Sequence, residues 1–280
     1  MPPKSPPRGE VAVLLLHGLY SNPNEMSPLG KELEKSGYHV HIPHLPGYSV
    51  CADDVLNRDF ASRPWEAWYA QVEAEFDELR RHYRQVAVGG LCIGADLALH
   101  LAAQRGLQVA AVLALATTLY YDGWGIPWYS FLLPLGYYTP LRHVYTYRER
   151  FPFGLKNPRV RARVEKDMRE KEISAAGASQ LPLNGIYQAQ RLIGAIKKEL
   201  HQVVSPTLVI HSREDDVASL RSARHVYRHV SAEHRRQVVL DDSYHIITLD
   251  NERRRVSAET LGFLAQALGQ PTFPPLPKAA

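Results

Sequence analysis

The chain lacks a disulfide framework. Its 280 residues hold two cysteines, Cys51 and Cys92, too few to staple a small secreted scaffold. It also lacks any apolar run as long as a membrane span. The formal charge of +4 is small, and no basic stripe interleaved with aromatics runs through the sequence. Nucleic acid is therefore not an expected partner. Residues 1–9, Met-Pro-Pro-Lys-Ser-Pro-Pro-Arg-Gly, hold no apolar stretch of the secretory kind, so a cytoplasmic setting is expected. A reactive Cys92 would also suit a reducing compartment. His39, His41, His44 and His100 follow no metal-ligand spacing, so neither a metal nor a cofactor is expected. No internal repeat is present. Hydrophobic content of 45% and charged content of 22% are ordinary for a globular protein that buries one core, or one core with a small cap.

Short apolar runs alternate with amphipathic ones. Val11–Leu16, Tyr38–Ile42, Gln85–Val88, Val109–Leu115, Thr207–His211 and Gln237–Leu240 read as strands. Met26–Ser36, Trp65–Tyr83, Ala95–Gln104, Leu220–Val230 and Ser257–Leu268 read as helices, and Asp53–Ser62 as a loop. This alternation predicts an α/β fold, a mostly parallel sheet with helices on both faces. After Thr118 the pattern stops. Residues 119–200 are aromatic, then charged and helical, without a clear strand. They predict an inserted cap between core segments 10–118 and 201–268 of one discontinuous domain. The Pro-rich ends, 1–9 and 269–280, predict flexible tails.

The chemistry centres on Gly89-Gly90-Leu91-Cys92-Ile93-Gly94. A strand enters it and a helix leaves it, so Gly90-x-Cys92-x-Gly94 has the form of a nucleophile elbow. Its glycines allow a sharp turn that presents one side chain above a sheet. Here that side chain is a thiol. Acyl transfer also needs a base and a group to orient it. Acids follow the strand at 207–211, in Arg213-Glu214-Asp215-Asp216-Val217. A histidine follows the strand at 237–240, in Ser243-Tyr244-His245. The order nucleophile, acid, histidine is that of α/β-hydrolases, and each group lies on a loop after a strand, where open α/β sheets build their sites. The bland alternatives are a buried apolar Cys92, a loop histidine bonded to backbone, and helix-capping acids. Cys51 has no comparable frame. Asp96, one turn past Cys92, is a commonplace first-turn acid.

These segments, with Leu15-Leu16-His17-Gly18-Leu19 and Pro43-His44-Leu45-Pro46-Gly47, resemble the carboxylesterase and monoacylglycerol-lipase group of the α/β-hydrolase superfamily. The resemblance covers about residues 11–118 and 203–268. It implies an α/β-hydrolase fold and a triad of Cys92, Asp215 and His245, with Asp216 as the alternative acid. It also implies oxyanion-hole amides at Leu19 and Ile93. The sequence departs from the group in carrying Cys92 for the usual Ser, His44 where many members have Asp, and Tyr48 where a His is common. His17, beside the oxyanion turn, reads as a structural hydrogen-bonding residue.

The resemblance implies a hydrolase of carboxylic esters or thioesters working through an acyl-Cys intermediate. Two variants share the triad. One is an acyltransferase on acyl-CoA-type donors, as in the Cys-elbow polyhydroxyalkanoate synthases, which are much longer. The other is a lactonase like the dienelactone hydrolases. A non-enzymatic binding scaffold is disfavoured, because Asp and His are both kept. Trp124, Trp128 and Tyr129 are candidate substrate-binding residues of an apolar wall. Exposed, such residues would instead suit a membrane surface. Residues 142–171 hold ten basic and four acidic side chains. Such a stretch is usually a solvated face, and could also steer an anionic carrier. The expected partner is a small acyl ester or thioester.

Overall fold

A computed structural model describes residues 11–57 and 62–268. The two predicted tails lie outside the described residues. Six strands, β1 (Val11–Leu16), β2 (His39–His41), β3 (Gln85–Leu91), β4 (Val112–Leu115), β5 (Thr207–Ser212) and β6 (Arg235–Leu240), form one sheet. Its order is β6-β5-β4-β3-β1-β2, and every pairing is parallel.

The continuous apolar run of β1 follows from burial on both faces. Ala12, Leu14 and Leu16 enter one hydrophobic cluster, whereas Val11, Val13 and Leu15 enter the other. The first cluster receives α2 (Trp65–His82), α3 (Ile93–Arg105), α5 (Leu183–Glu199) and α6 (Leu220–His229). The second receives α1 (Ser27–Lys35) and α7 (Arg253–Leu268). α2 shows how pattern becomes packing. Pro64 precedes its first turn, and Trp68, Val72, Phe76 and Leu79 fall on one buried stripe. The indole of Trp68 keeps its polar edge satisfied by donating to Gly47 O at 2.8 Å. This is the α/β-hydrolase architecture.

Two local expectations fail for identifiable reasons. Of the loop read over Asp53–Ser62, residues 53–57 belong to a short helix, Ala52–Asn57, and residues 58–61 lie outside the described residues. The Asp54 carboxylate accepts the Cys51 amide at 2.7 Å and so satisfies an N-terminal donor. The segment between β4 and β5 does contain strands. Thr146–Arg148 pairs antiparallel with Gln180–Pro182, and Ile173–Ser174 with Gly177–Ala178. Each has two or three residues, too few to show a period. Between them the charged stretch forms α4 (Pro158–Lys171). Asn157 caps it by accepting the Arg159 and Val160 amides, and only Val164 and Met168 are buried. α5 buries Ala189, Leu192, Ile193 and Ile196 in the same cluster as α3. No helix among the described residues is long and apolar enough to cross a membrane.

Because all six strands run the same way, the loops that follow β1, β3, β5 and β6 leave the sheet at one edge. Those loops carry Gly18-Leu19, Cys92, Asp215-Asp216 and His245.

Candidate active site

Cys92 joins β3 to α3 with φ 56° and ψ −121°, a conformation that costs a non-glycine residue about 1–3 kcal/mol. Its neighbours show why the motif needs glycine. A Cβ on Gly90 would sit 2.2 Å from the Gly94 carbonyl carbon, and one on Gly94 would sit 2.4 Å from His17 O. The elbow is thereby pressed against the end of β1. Ile93 opens α3, so its amide has no helical carbonyl to meet. The Leu19 amide donates no hydrogen bond among the described residues. A Cβ on the intervening Gly18 would lie 3.6 Å from Cys92 Cβ, so the two candidate oxyanion loops are in contact.

The turn after β1 is held by buried polar groups. His17 is bonded through Nδ1 to Gly18 O at 2.8 Å and through Nε2 to Ser49 Oγ at 2.7 Å. Burial brings its pKa down to about 4, so it stays neutral and structural. Tyr48 follows the Pro46-Gly47 pair. It is fully buried and donates its hydroxyl to His17 O at 2.7 Å, which bolts the Pro46-Gly47 loop to the turn. Sequence reading missed Glu25, which lies on the short 3-10 turn Pro23–Glu25 and belongs to no motif. Its carboxylate accepts the Gly18 amide at 2.6 Å.

Asp215 and His245 meet. Nδ1 of His245 is 2.8 and 3.0 Å from the two Asp215 oxygens. Oδ1 of Asp215 also accepts the Val217 and Ala218 amides, at 2.9 and 2.8 Å. Burial would raise this carboxyl, but His245, then His211 and the Ala218 amide, outweigh it and hold the pKa below the usual carboxylate range. Burial would likewise lower His245, yet the Asp215 charge and the Cys92 sulfur raise it well above an ordinary histidine. His245 Nε2 meets no partner at hydrogen-bond geometry among the described residues, and the Cys92 sulfur lies near enough to raise the ring. Such contacts are often long without substrate. Cys92 Sγ rests 3.3 Å from Thr118 Oγ1. His211, also missed by sequence reading, is fully buried. It donates through Nε2 to Ala218 O at 2.7 Å and lies 3.3 Å from Asp215 Oδ2.

Asp216 takes a different place. Its Oδ1 accepts the His245 amide and its Oδ2 the Gly154 amide, both at 3.2 Å. It therefore ties the histidine loop to the β4–β5 insertion without touching the imidazole nitrogens.

Asp96 is wholly buried, and neither carboxylate oxygen has a partner among the described residues. Burial raises its pKa well above that of an ordinary aspartate, so it is held as the neutral acid. An unsatisfied buried polar group costs about 1–3 kcal/mol. Asp96→Ala is expected to increase stability by an amount of that order, read as a higher urea midpoint with unchanged m. A carboxyl raised on folding favours the fold below its unfolded pKa and loses that contribution as pH climbs toward its folded value. The gain from Asp96→Ala should therefore be larger at pH 8 than at pH 4.5.

Above Cys92 and His245 opens a cavity of about 240 Å³, walled mainly by Tyr121, Ile126, Leu133, Phe151, Leu181 and Ile186. Of the three aromatics expected on this wall, Tyr129 lines it and the two tryptophans do not. Trp128 is 83% exposed. Trp124, 58% exposed, donates its indole N–H to Glu214 O and packs edge-on against Tyr244. Sequence clustering marked the right segment but not which side of it faces inward. Glu25, Glu149, Arg150 and Asp216 bring charged side chains to this wall, beside the hydroxyls of Ser21 and Ser130. Burial lifts Glu149 to about 7, helped by Asp216 and opposed by His245.

Away from this cavity the fold brings ligand atoms of His44, Cys51 and Asp54 within 4.8 Å of one another, a group that sequence spacing hides. Asp54 already accepts the Cys51 amide, and Arg159 and Arg163 line the same groove, which opposes a cation there.

Residues 7–252 match the family model Hydrolase_4, described as serine aminopeptidase, S33. The chain is 26% identical over 261 residues to a thermostable monoacylglycerol lipase of Bacillus sp. (strain H-257), with 93% of each chain covered. It is also 26% identical over 257 residues to a carboxylesterase of Bacillus subtilis (strain 168), covering 91% of this chain and 93% of that one. Among solved structures, it resembles a Paleococcus ferrophilus monoacylglycerol lipase with TM-score 0.72 and 17% identity, over 91% of this chain and 94% of that one.

Proposed function

Because the chain belongs to the Hydrolase_4 (serine aminopeptidase, S33) family and is an α/β-hydrolase of the lipase and esterase kind, we propose that it cleaves carboxylic esters or thioesters through a covalent acyl-Cys92 intermediate. The ring of His245 carries this proposal. One nitrogen is fixed by Asp215, and the other is buried without a hydrogen bond beside the elbow thiol. That is the arrangement of a base with its tautomer set and its working nitrogen free.

In the proposed reaction the proton of Cys92 Sγ passes to His245 Nε2, and the sulfur attacks the acyl carbon. The carbonyl π pair moves to oxygen, where the Leu19 and Ile93 amides receive the oxyanion. Such donors contribute about 3–4 kcal/mol each where one has been removed by mutation. Collapse of the intermediate breaks the bond to the leaving oxygen or sulfur, which takes the proton from Nε2. Water then gives its proton to Nε2, its oxygen attacks the thioester carbon, and the C–S bond breaks to return acid and thiol. Within this scheme residues 119–200 act as a cap over a core of 10–118 and 201–268. The apolar wall takes the acyl group. The names of the relatives, monoacylglycerol lipase and carboxylesterase, make a fatty acyl ester the substrate class to test first. A thiol nucleophile extends the panel to acyl-CoA and to alcohol acceptors.

Intact-mass spectrometry after rapid mixing with p-nitrophenyl esters, monoacylglycerols and acyl-CoAs is the direct test. An acyl adduct that maps to Cys92 and decays with release of free acid is the expected result. Decay only when an alcohol is added would assign acyl transfer instead. Turnover without an adduct in wild type and undiminished in Cys92→Ala would overturn the mechanism.

A further inference from the structure

Glu25 is almost fully buried and lies at the oxyanion turn, yet the triad makes no use of it. A Cβ on Gly18 would meet its Oε2 at 3.3 Å and Cys92 Cβ at 3.6 Å, so the carboxyl and the thiol-bearing carbon crowd the same glycine. The carboxyl lines the cavity that holds Cys92 and His245. We infer that Glu25 is a positioning residue and charge gate for the oxyanion loop: it braces the Gly18 amide, and it must be uncharged for a tetrahedral oxyanion to form beside it. This inference rests on the acyl-Cys92 reaction proposed above.

The physical case has two parts. One oxygen of Glu25 accepts the Gly18 N–H, which fixes the turn that presents the Leu19 amide. If Glu25 were ionised, a full negative charge would stand next to the place where the acyl oxygen and the attacking sulfur carry theirs. At a few ångströms in a poorly solvated site, like charges of this kind slow the reaction by roughly a hundredfold. The neutral acid keeps the brace, because one oxygen still accepts while the other bears the proton. Burial pushes the group up to about 7, against the pull of the Gly18 amide, His245 and Ser21. The proton is thus kept into the neutral range and lost above it.

The other titratable and charged groups around this position are Cys92, His245 and Asp216 in the site, Glu149 and Arg150 on the cap side of the same cavity, Tyr20 and Tyr121 on its wall, and Tyr48 behind the turn. Burial holds the Tyr48 phenol well above its ordinary value, so it remains neutral throughout. Glu149 titrates in the same range as Glu25 and needs its own control.

The test is the pH profile of kcat/KM on a neutral ester from pH 5.5 to 9, for wild type, Glu25→Gln, Glu25→Ala and Glu149→Gln. Wild type should lose activity as pH rises through about 7. Glu25→Gln, which accepts the Gly18 amide but never ionises, should hold its plateau and exceed wild type at pH 9. Glu25→Ala should be slower at every pH, and Glu149→Gln should keep the alkaline decline. If Glu25→Gln shifts the rate equally at all pH values, or if Glu149→Gln is the variant that abolishes the decline, the gate is overturned. A second readout is spectroscopic. The protonated carboxyl band that is present in wild type and missing in Glu25→Gln should fade between pH 6 and 8 in the infrared difference spectrum, and its persistence to pH 9 would also overturn the gate. Acyl-Cys92 is measured in the same samples. Its presence with parallel profiles removes only the gate, whereas its absence removes the reaction as well.

Discussion

Cys92→Ala and His245→Ala are each expected to lower kcat/KM on a short-chain ester by about 10⁴- to 10⁶-fold, with the double variant no slower than either single one. The non-additivity follows from the way the pair works. His245 is useful only if there is a thiol to deprotonate, and the thiol is a competent nucleophile only while its proton has a place to go. Residual turnover would come from substrate binding and from the Leu19 and Ile93 amides, which neither substitution touches. Alanine keeps the Cβ and the same backbone demand at φ 56°, so the loss should appear in kcat with an unchanged thermal midpoint. Cys92→Ser is the informative companion. The glycines that frame the elbow and the Asp215–His245 pair would be intact. Some oxyester cleavage should therefore survive, and the preference for thioesters over oxyesters should fall. A Cys92→Ala enzyme within tenfold of wild type would remove the thiol from the reaction.

The sequence was legible where structure is decided locally. β1 reads correctly to the residue because burial on both faces gives six apolar residues in a row, closed by His17-Gly18. The elbow reads because glycine is required at two positions where any side chain would strike backbone. β4 shows the limit. Val109–Leu115 looks continuous, but the strand begins at Val112, after the turn Gly106–Gln108 and the exit from it. Glu25 was not legible because its partner is the amide of Gly18, seven positions earlier, and a glutamate between Asn24 and Met26 has no motif. His211 was hidden by its own strand, where a histidine among Val209, Ile210 and Ser212 gives no sign of reaching Ala218 and Asp215. The cavity wall was the least legible part. Which aromatics of residues 119–151 face inward depends on how the insertion settles on the sheet edge, and no period in the sequence encodes that. Tyr121 and Tyr129 line the cavity, whereas Trp128 stays out.

Asp215→Asn should lower kcat by about 10⁴-fold with little change in KM, whereas Asp216→Asn should stay within about tenfold of wild type in kcat and lose stability instead. The hydrogen bonds dictate the difference. Oδ1 of Asp215 accepts two backbone amides, from Val217 and Ala218, so the carbonyl oxygen of an asparagine must occupy that position. Its NH₂ then faces Nδ1 of His245, where Oδ2 had been. A donor there forces the ring proton onto Nε2, and the nitrogen that should take the proton of Cys92 arrives already protonated. Asp216 accepts one amide on each oxygen, from His245 and from Gly154. Its asparagine can keep only one of the two, so either the histidine loop or the insertion loses a tether, at a cost of about 1–3 kcal/mol. The imidazole tautomer is untouched. Single-turnover acylation rates measured beside thermal midpoints separate the two carboxylates. Four orders lost in Asp216→Asn, with Asp215→Asn near wild type, would transfer the orienting role to Asp216.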